Sequence, residues 1–518
     1  MSIPWLSVLA IVPLLMGALV SFWPRSGVAQ VRRVAIAGHG LALGWVAWMS
    51  SHFDLGTGAL QFVELRSWAP SLGIEYHLGL DGLGWVSVVL AALVPLLAAL
   101  VSDRVAAGRE RLYYGLLLFL EAGLMGTFTA LNFFHWFLFW ELSLVPAYLL
   151  VRCFGGPGAG AASFQFFVYT MVGSVALLLG FLALRISAGT FDFVELARLG
   201  RSGQLAQGLA TALPGVGSGI SGETLARWVF LGVLLGFAVK VPIWPFHTWL
   251  PSTYTEAPSP VTMILTGVMS KMGVYGLLRV ALPIFPDQFR EMQGVLVLLA
   301  LATVIFPALA AWVQRDLKRV LAYSSINHLG YCLMGMFVLT PGATGALWVE
   351  SAAAPALNGV LLQMLNHGLT AATLFAAVEY FERRTDGVRR LDQLGGLRSV
   401  APVFCGLMGI SMFASLGMPG LNGFVGEFLI FRGVYAAMPW VAVAGVVGLL
   451  ATAVFLLTLM QRVFHGELER TWNGFRDLDA WERLILGVPV ALMLVLGLFP
   501  DLVLRWTNPT VLGMAAGN

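Results

Sequence analysis

The chain has 518 residues, of which 58% are hydrophobic and only 11% are charged, and its formal net charge is +3. Soluble domains are about 45–50% apolar and about 25% charged, so the composition excludes a soluble enzyme, a nucleic-acid-binding domain and a disordered chain. The mean hydropathy is +0.83. Apolar runs of ~20 residues follow one another along the chain, which is typical of an integral membrane protein with several membrane-spanning helices.

Stretches long enough to cross ~30 Å of hydrocarbon are predicted to form about fourteen spans. In chain order, the predicted spans cover residues 3–23, 33–51, 82–102, 112–131, 133–151, 163–185, 226–250, 259–281, 293–313, 320–339, 356–380, 401–437, 440–461 and 484–504. Spanning β-strands are only ~10 residues long, so strands are excluded as the spanning unit. The predicted fold is therefore all-α, a polytopic transmembrane helix bundle that forms one integral membrane domain over residues 1–518.

Two of the predicted spans are interrupted. The segment KVPIWP (240–245) contains two prolines, each of which removes a backbone donor and clashes with the preceding turn. The segment LGMPGLNGF (416–424) interrupts the long 401–437 stretch in the same way. Interrupted helices in corresponding positions of two halves are typical of internal repeats with ion sites at the breaks. We therefore predict two inverted five-helix repeats, spans four to eight (112–281) and spans nine to thirteen (293–461).

The distribution of Arg and Lys predicts the orientation. If the N-terminus is placed outside, most of the thirty basic residues lie in loops on the cytoplasmic side. The opposite loops contain only Arg66, Arg185, Arg198, Arg201, Arg227, Arg290 and Arg505. Because cytoplasmic loops are enriched in Lys and Arg, this asymmetry predicts an even number of spans with both termini outside. We expect the membrane to be a bacterial inner membrane, with the termini on its periplasmic side.

The lysines are unusually placed. Only three of the thirty basic residues are lysines, and two of them, Lys240 and Lys271, lie inside apolar spans. Each charge at membrane depth costs several kcal/mol unless it is paired or hydrated. Lysine, unlike arginine, can release its proton when it is desolvated. The third, Lys318, belongs to the run QRDLKR, and we interpret it as an ordinary loop charge.

Carboxylates and imidazoles also lie within the spans. The candidate proton-transfer residues are Glu141, Lys240, Lys271, His328, His367 and Glu427, with Glu121 as a further candidate. Each also has a structural interpretation: an ion pair for Glu141 and Lys240, an interhelical contact for Glu121, an interfacial charge for Lys271, interior hydrogen bonds for the histidines, and a helix cap for Glu427. Seven such residues together favour proton transfer, because placing each titratable side chain in the membrane interior has its own free-energy cost.

Other chemistries lack their residues. The three cysteines are far apart and form no CxxC or Cys/His cluster, so neither a metal site nor an iron–sulfur cluster is predicted. There is no GxxxxGK[ST], HExxH or GxSxG motif. A polytopic membrane enzyme, with Glu and His as acid and base and Lys binding a lipid phosphate, would cluster such motifs in loops. That alternative is disfavoured because the polar groups lie in spans.

Six motifs, in this order along the chain, carry a family resemblance. They are FFHWFLFWELSLVPAYLL (133–150), GFAVKVPIWPFHTWLPSTYTEAPSP (236–260), ILTGVMSKMGVYGLLR (264–279), AYSSINHLGY (322–331), NHGLTAATLF (366–375) and GMPGLNGFVGEF (417–428). They closely resemble the antiporter-like, proton-translocating membrane subunits of respiratory complex I. The presence of Glu427 rather than a lysine after the second break makes the chain most similar to the M-type subunits.

The resemblance implies a subunit of a proton-translocating NADH:quinone oxidoreductase that has no redox chemistry or cofactor of its own. It implies two half-channels joined by a hydrophilic axis, with Glu141 and Lys240 as a coupled pair. Lys271 would be the central relay, His328 and His367 would continue the axis, and Glu427 would exchange the proton at its end. Glu121 is carried over as a further member. The implied partners are neighbouring L-type and N-type subunits and the lipid bilayer, with no nucleic acid.

The chain departs from the family pattern at one loop. Relatives commonly have HTWLPDAH where this chain has HTWLPSTY, so Ser252 and Tyr254 replace an acid and an imidazole. The same fold also occurs in Mrp-type cation/proton antiporters, membrane-bound hydrogenases and inorganic-carbon-uptake complexes, which are the alternative assignments. The transported ion is left open between H⁺ and Na⁺, although the sequence contains no multi-oxygen cluster, which favours H⁺.

Overall fold

A computed structural model describes residues 4–24, 27–72, 74–105, 108–212, 221–339 and 349–516. The helices are α1 (Trp5–Ser21), α2 (Val28–Ser50), α3 (Gly82–Val101), α4 (Glu110–Thr129), α5 (Phe133–Phe154), α6 (Ala159–Ala188), α7 (Phe193–Arg201), α8 (Gln204–Ala212), α9 (Gly222–Lys240), α10 (Trp249–Glu256), α11 (Ser259–Ile284), α12 (Pro286–Trp312), α13 (Leu317–Phe337), α14 (Val349–Glu382), α15 (Pro402–Ser415), α16 (Asn422–Ala437), α17 (Pro439–Phe464), α18 (Ala480–Leu498) and α19 (Asp501–Ala515). Two strands, β1 (Gln61–Ala69) and β2 (Ile74–Leu80), form an antiparallel hairpin.

The all-α membrane fold is confirmed. Within the described ranges, ten helices are long and apolar enough to cross a membrane by length and composition: α3, α4, α5, α6, α9, α11, α12, α14, α17 and α18. Every predicted span coincides with one or more helices. The first predicted span starts at residue 3, which lies outside the described residues. The count of about fourteen spans stays a prediction.

Both predicted helix breaks are present. The first lies between Lys240, where α9 ends, and Trp249, where α10 begins. The second lies between Ser415, where α15 ends, and Asn422, where α16 begins. Prolines end the helix at the first break, and proline and glycine residues do so at the second, as the sequence predicts. The spans therefore place two stretches of irregular backbone within the bundle, which is tolerated only where that backbone is buried in protein or lines a cavity.

The two stretches assigned to repeats share one helix pair, since α4 packs along α5 and α12 packs along α13. The next pair differs between them. Helix α6 packs mainly along α9, the first half of one broken helix, whereas α14 packs mainly along α16, the second half of the other. The repeats over 112–281 and 293–461 stay a prediction.

The sequence did not predict the β1–β2 hairpin. It is held against the bundle by Glu64, whose carboxylate accepts hydrogen bonds from the backbone nitrogens of Leu6 and Ser7 at 2.7 and 3.1 Å. These are unpaired donors at the start of α1, where a negative charge is stabilised. His77 of β2 lies 2.5 Å from Asp192, the residue that caps α7. The hairpin therefore contacts both the start of α1 and the residue that caps α7.

Close packing of α4 on α5 depends on Gly123. A Cβ atom at this position would lie 2.7 Å from the backbone nitrogen of Ser143. We expect Gly123→Ala to lower the free energy of unfolding by about 1–3 kcal/mol, because the two helices must move apart. The thermal-unfolding midpoint of the purified protein in detergent measures this loss. Gly40→Ala in α2, which meets nothing within 4 Å, should leave the midpoint unchanged, and equal midpoints for the two variants would contradict the packing.

Candidate functional site

Four of the predicted residues form one connected row, which we call the buried row: Lys271, His367, His328 and Glu427. The Lys271 ammonium nitrogen lies 2.7 Å from His367 Nδ1. The ring centroids of His367 and His328 are 5.3 Å apart. His328 Nδ1 lies 3.1 Å from Glu427 Oε1. Each of the four residues is at most 5% exposed, so the row lies within the protein and does not face lipid.

The local structure of α11 positions Lys271. Two π-helical turns, Leu265–Met269 and Leu277–Ala281, lie on either side of this residue. Such turns are rare and occur frequently at functional sites. The carbonyl oxygen of Thr266 accepts a hydrogen bond from Lys271 Nζ at 2.5 Å. The ammonium group is therefore held by a backbone carbonyl and an imidazole, and no carboxylate pairs with it among the described residues.

The second helix break surrounds the other end of the row. The Ser415 hydroxyl, at the last residue of α15, lies 3.0 Å from His328 Nε2. Gln363 of α14 donates from Nε2 to Glu427 Oε1 at 3.2 Å. A small cavity of about 10 Å³, room for about one water molecule, lies among His328, Gln363, Asn366, His367, Thr370, Ala414, Ser415, Gly423 and Glu427. Seven of these nine residues have polar side chains, and both histidines are among them.

Sequence reasoning missed Gln363 and Ser415. Gln363 lies one helical turn before His367, so the i, i+4 spacing on α14 could have placed both side chains on one face. Ser415 directly precedes the second break, but no sequence signal indicates which histidine its hydroxyl contacts. The neutral partners of buried titratable groups are difficult to predict, because they come from helices that are distant in the chain.

Lys240 and Glu141 do not form an ion pair in the described part of the chain. Lys240 is 3% exposed, and its ammonium nitrogen lies 4.8 Å from the centre of the Trp140 ring, a cation–π contact. The Trp140 ring is in turn held by a 3.0 Å hydrogen bond from its Nε1 to Ser174. One carboxylate oxygen of Glu141 is buried without a hydrogen-bond partner. The coupled pair stays a prediction.

Glu121 pairs with a residue that the sequence did not single out. Its Oε2 lies 2.7 Å from Nδ1 of His39, on α2, and both side chains are fully buried. The second carboxylate oxygen of Glu121 and Nε2 of His39 have no hydrogen-bond partner. This contact joins two neighbouring helices, which is the structural interpretation of Glu121. A histidine in the middle of an apolar span was the available signal for His39.

Lys318 is not an exposed loop charge. It lies in the first turn of α13, is 2% exposed, and donates from Nζ to the carbonyl oxygen of Ala257 at 2.5 Å. The interpretation as a loop charge was wrong because α13 already begins at Leu317, capped by Asp316, and Lys318 is buried in its first turn. The side chain therefore points into the bundle, towards the start of α11, and does not extend into a loop.

A set of buried hydroxyls on α11 lies between Lys271 and the loop end of the bundle. Ser259, Thr262 and Thr266 are spaced three and four residues apart, so they lie on one face of the helix. Ser259 donates to Glu382 Oε2 at 2.6 Å. The hydroxyls of Thr266 and Ser325 are 2.9 Å apart. The spacing of three and four residues is the sequence signal that indicates this hydroxyl face.

Ser252 and Tyr254, the two departures from the family pattern, lie on α10 outside the buried row. Ser252 donates to the side-chain oxygen of Gln165 at 2.9 Å. The Tyr254 side chain is buried, and its backbone carbonyl accepts from Thr262 at 3.2 Å. Both residues therefore connect α10 to its neighbours. Among the described residues, no group of three or more His, Cys, Asp or Glu side chains could hold a metal ion.

Comparison with known proteins identifies the family. Residues 130–452 match the family model described as NADH:quinone oxidoreductase/Mrp antiporter, TM. This match covers more than half of the chain. The chain belongs to this family. The span of the match includes the whole buried row and both helix breaks.

Individual relatives agree along nearly the full length. NAD(P)H-quinone oxidoreductase chain 4 1 of Synechococcus sp. (strain JA-3-3Ab) is 35% identical over 99% of this chain and 93% of the relative. F(420)H(2) dehydrogenase subunit M of Methanosarcina mazei is 32% identical over 99% of both chains. A chain of respiratory complex I from Thermus thermophilus superposes with a TM-score of 0.83, at 29% identity and 99% coverage of both chains. The resemblance to M-type subunits of complex I is confirmed.

The His39–Glu121 pair generates a stability prediction. Removing one member of a buried pair leaves the other without compensation, which typically costs 3–5 kcal/mol. We therefore expect His39→Leu to lower the thermal-unfolding midpoint in detergent more than the double variant His39→Leu/Glu121→Leu does. A double variant that is less stable than the single one would show that the two side chains do not depend on each other.

Proposed function

We propose that this chain is a proton-translocating membrane subunit of a complex I-type NADH-quinone oxidoreductase, with no redox chemistry in the chain itself. The observation that carries the proposal is the buried row from Lys271 to Glu427. Titratable groups at membrane depth are costly, face the interior of the bundle and mark proton pathways. Here four of them lie in succession, and three of the four, His367, His328 and Glu427, line a cavity, an arrangement that a purely structural ion pair would not require.

The geometry supplies the elementary transfers. Lys271 and His367 are within hydrogen-bond distance, so a proton on the ammonium group can pass directly to the imidazole. His367 and His328 both line the cavity, where water can connect them. His328 Nδ1 faces Glu427, and this carboxylate can receive the proton. In this proposal each group holds a proton only until its neighbour accepts it.

Glu427 is placed to exchange protons at the end of the row. A Cβ atom on Gly417, in the unwound segment, would lie 2.6 Å from Glu427 Oε2. The next residue, Met418, is 47% exposed. The Glu427 carboxylate therefore lies against the unwound backbone of the second break, and Met418 of that break reaches the protein surface. Glycine at 417, with φ +77°, both permits the left-handed backbone and leaves room for the carboxylate.

We also propose that Glu141 approaches Lys240 in another state of the subunit. An opposite charge within ~4–6 Å favours the protonated lysine, and its withdrawal favours release of the proton. Moving one charge across 100 mV costs about 2.3 kcal/mol. Each tenfold change in proton affinity corresponds to about 1.36 kcal/mol, so a change of about two such factors drives one proton against that potential. One carboxylate oxygen of Glu141 is buried without a hydrogen-bond partner among the described residues, and this supports the proposal.

The setting of the subunit is part of the proposal. We place it in a bacterial inner membrane with both termini on the periplasmic side, next to L-type and N-type subunits. The two inverted repeats over 112–281 and 293–461 would each provide one half-channel. A homologous role in an Mrp-type antiporter, a membrane-bound hydrogenase or an inorganic-carbon-uptake complex is the alternative, and the proteins that co-purify with the chain distinguish it.

Lys271→Arg and Glu427→Gln test the function. Arginine keeps the positive charge of Lys271 but does not release its proton, and glutamine keeps the shape of Glu427 without its charge. We expect either change to slow proton pumping at least tenfold in the complex reconstituted into liposomes, while the complex still assembles. Glu467→Gln, at an exposed carboxylate outside the row, is the matched control. Pumping at the wild-type rate in both row variants would refute the proposal.

The orientation is tested by labelling. In a background without native cysteines (Cys153→Ser, Cys332→Ala, Cys405→Ala), Ser202→Cys and Asn473→Cys place single thiols at exposed positions. We expect a membrane-impermeant maleimide added to right-side-out vesicles to label position 202 and not 473, because the positive loops face the cytoplasm. The reverse labelling pattern would invert the topology.

A further inference from the structure

His328 is contacted at both ring nitrogens by groups from three other helices. Nδ1 lies 3.1 Å from Glu427 Oε1 and 3.5 Å from Gln363 Nε2. Nε2 lies 3.0 Å from the Ser415 hydroxyl. The ring is 1% exposed. A buried imidazole with a partner at each nitrogen cannot rotate without leaving buried polar groups unpaired, which costs free energy.

The two neutral partners suit every protonation state of the ring. A serine hydroxyl can accept a hydrogen bond from Nε2–H or donate one to a deprotonated Nε2. The Gln363 amide has two N–H donors. It donates to Glu427 Oε1 at 3.2 Å and also lies near His328 Nδ1. When Nδ1 carries a proton it donates to Glu427, and when it does not, the amide faces it.

We propose that Gln363 and Ser415 are positioning residues that hold the His328 ring with Nδ1 towards Glu427 while the proton passes between them. This inference rests on the proposed function of the buried row. In the proposed step, the Nδ1–H bond of an imidazolium breaks, and an O–H bond forms on the Glu427 carboxylate. Both groups become neutral, and Ser415 and Gln363 keep the ring in place for the next proton.

Other titratable groups surround the same ring. His367 faces it from α14, with a centroid distance of 5.3 Å, and Lys271 lies beyond His367. Tyr331, on α13 itself, has its ring centroid 5.9 Å away. Among the described residues, the two groups within hydrogen-bond distance of His328 that do not titrate in the working range are Gln363 and Ser415. They can therefore orient the ring without competing for its proton.

The experiment compares four variants in the complex reconstituted into liposomes. Gln363→Met keeps the length of the side chain without its N–H donors, and Ser415→Ala removes the hydroxyl. Ser415→Thr retains a hydroxyl. Ser411→Ala, one turn earlier on α15, removes a buried hydroxyl that donates to the carbonyl of Leu407 within its own helix. Proton-pumping rate is measured from pH 6 to pH 8 together with quinone-reduction rate and the amount of assembled complex.

We expect Gln363→Met and Ser415→Ala to slow pumping about tenfold and to change its pH profile, because the ring no longer stays aligned with its acceptor. Ser415→Thr should restore pumping, and Ser411→Ala should pump at the wild-type rate. Wild-type pumping and pH profile in Gln363→Met and Ser415→Ala would overturn the inference. So would an equal loss in Ser411→Ala, since that would reflect packing.

These outcomes are separable from failure of the proposed function. If Lys271→Arg and Glu427→Gln abolish pumping while the positioning variants pump normally, the row transfers protons and only the positioning role is wrong. If Lys271→Arg and Glu427→Gln also pump normally, the row itself does not carry protons, and both proposals fail.

Discussion

Lys271 is fully buried, and among the described residues its ammonium group has no carboxylate partner, so its own helix and a neighbouring helix supply neutral hydrogen-bond partners instead. Desolvating an unpaired charge is among the largest costs in a protein interior. Lys271 is stabilised by a carbonyl oxygen from its own π-helical turn and by an imidazole from α14. Because neither partner is an anion, the lysine is not fixed in its charged state. It can lose its proton without leaving a negative charge behind.

The two helix breaks also contain buried polar groups that need partners from neighbouring helices. Unwound backbone at membrane depth must have its polar groups satisfied by protein or water. At the first break, the backbone nitrogen of Trp244 donates to the Thr303 hydroxyl at 2.9 Å. At the second, Asn366 donates to the carbonyl oxygen of Asn422 at 2.6 Å. Side chains from neighbouring helices thus pair with backbone groups at or beside both breaks. The second break also leaves space for a cavity beside Glu427.

Much of the fold and most of the candidate site were accessible from residue patterns alone. Span positions follow from hydropathy, and both breaks follow from proline and glycine, because these effects are local to the chain. The members of the buried row were all identified, since a charge within an apolar run stands out. Lys318 was misassigned because a cap residue, Asp316, started the helix earlier than the apolar pattern suggested. The β1–β2 hairpin was missed because its strands lie between spans and have little apolar signal.

The sequence by itself determined that this is a membrane bundle with two broken helices and with titratable groups at membrane depth, because composition, periodicity and proline chemistry act over a few residues. Only the tertiary structure decided which groups meet. Lys271 lies within hydrogen-bond distance of His367, and Glu121 pairs with His39. Among the described residues, Glu141 forms no ion pair with Lys240. Hydrogen bonds act over about 3 Å, and residues this far apart in the chain come within that distance only when helix packing sets their positions and rotations.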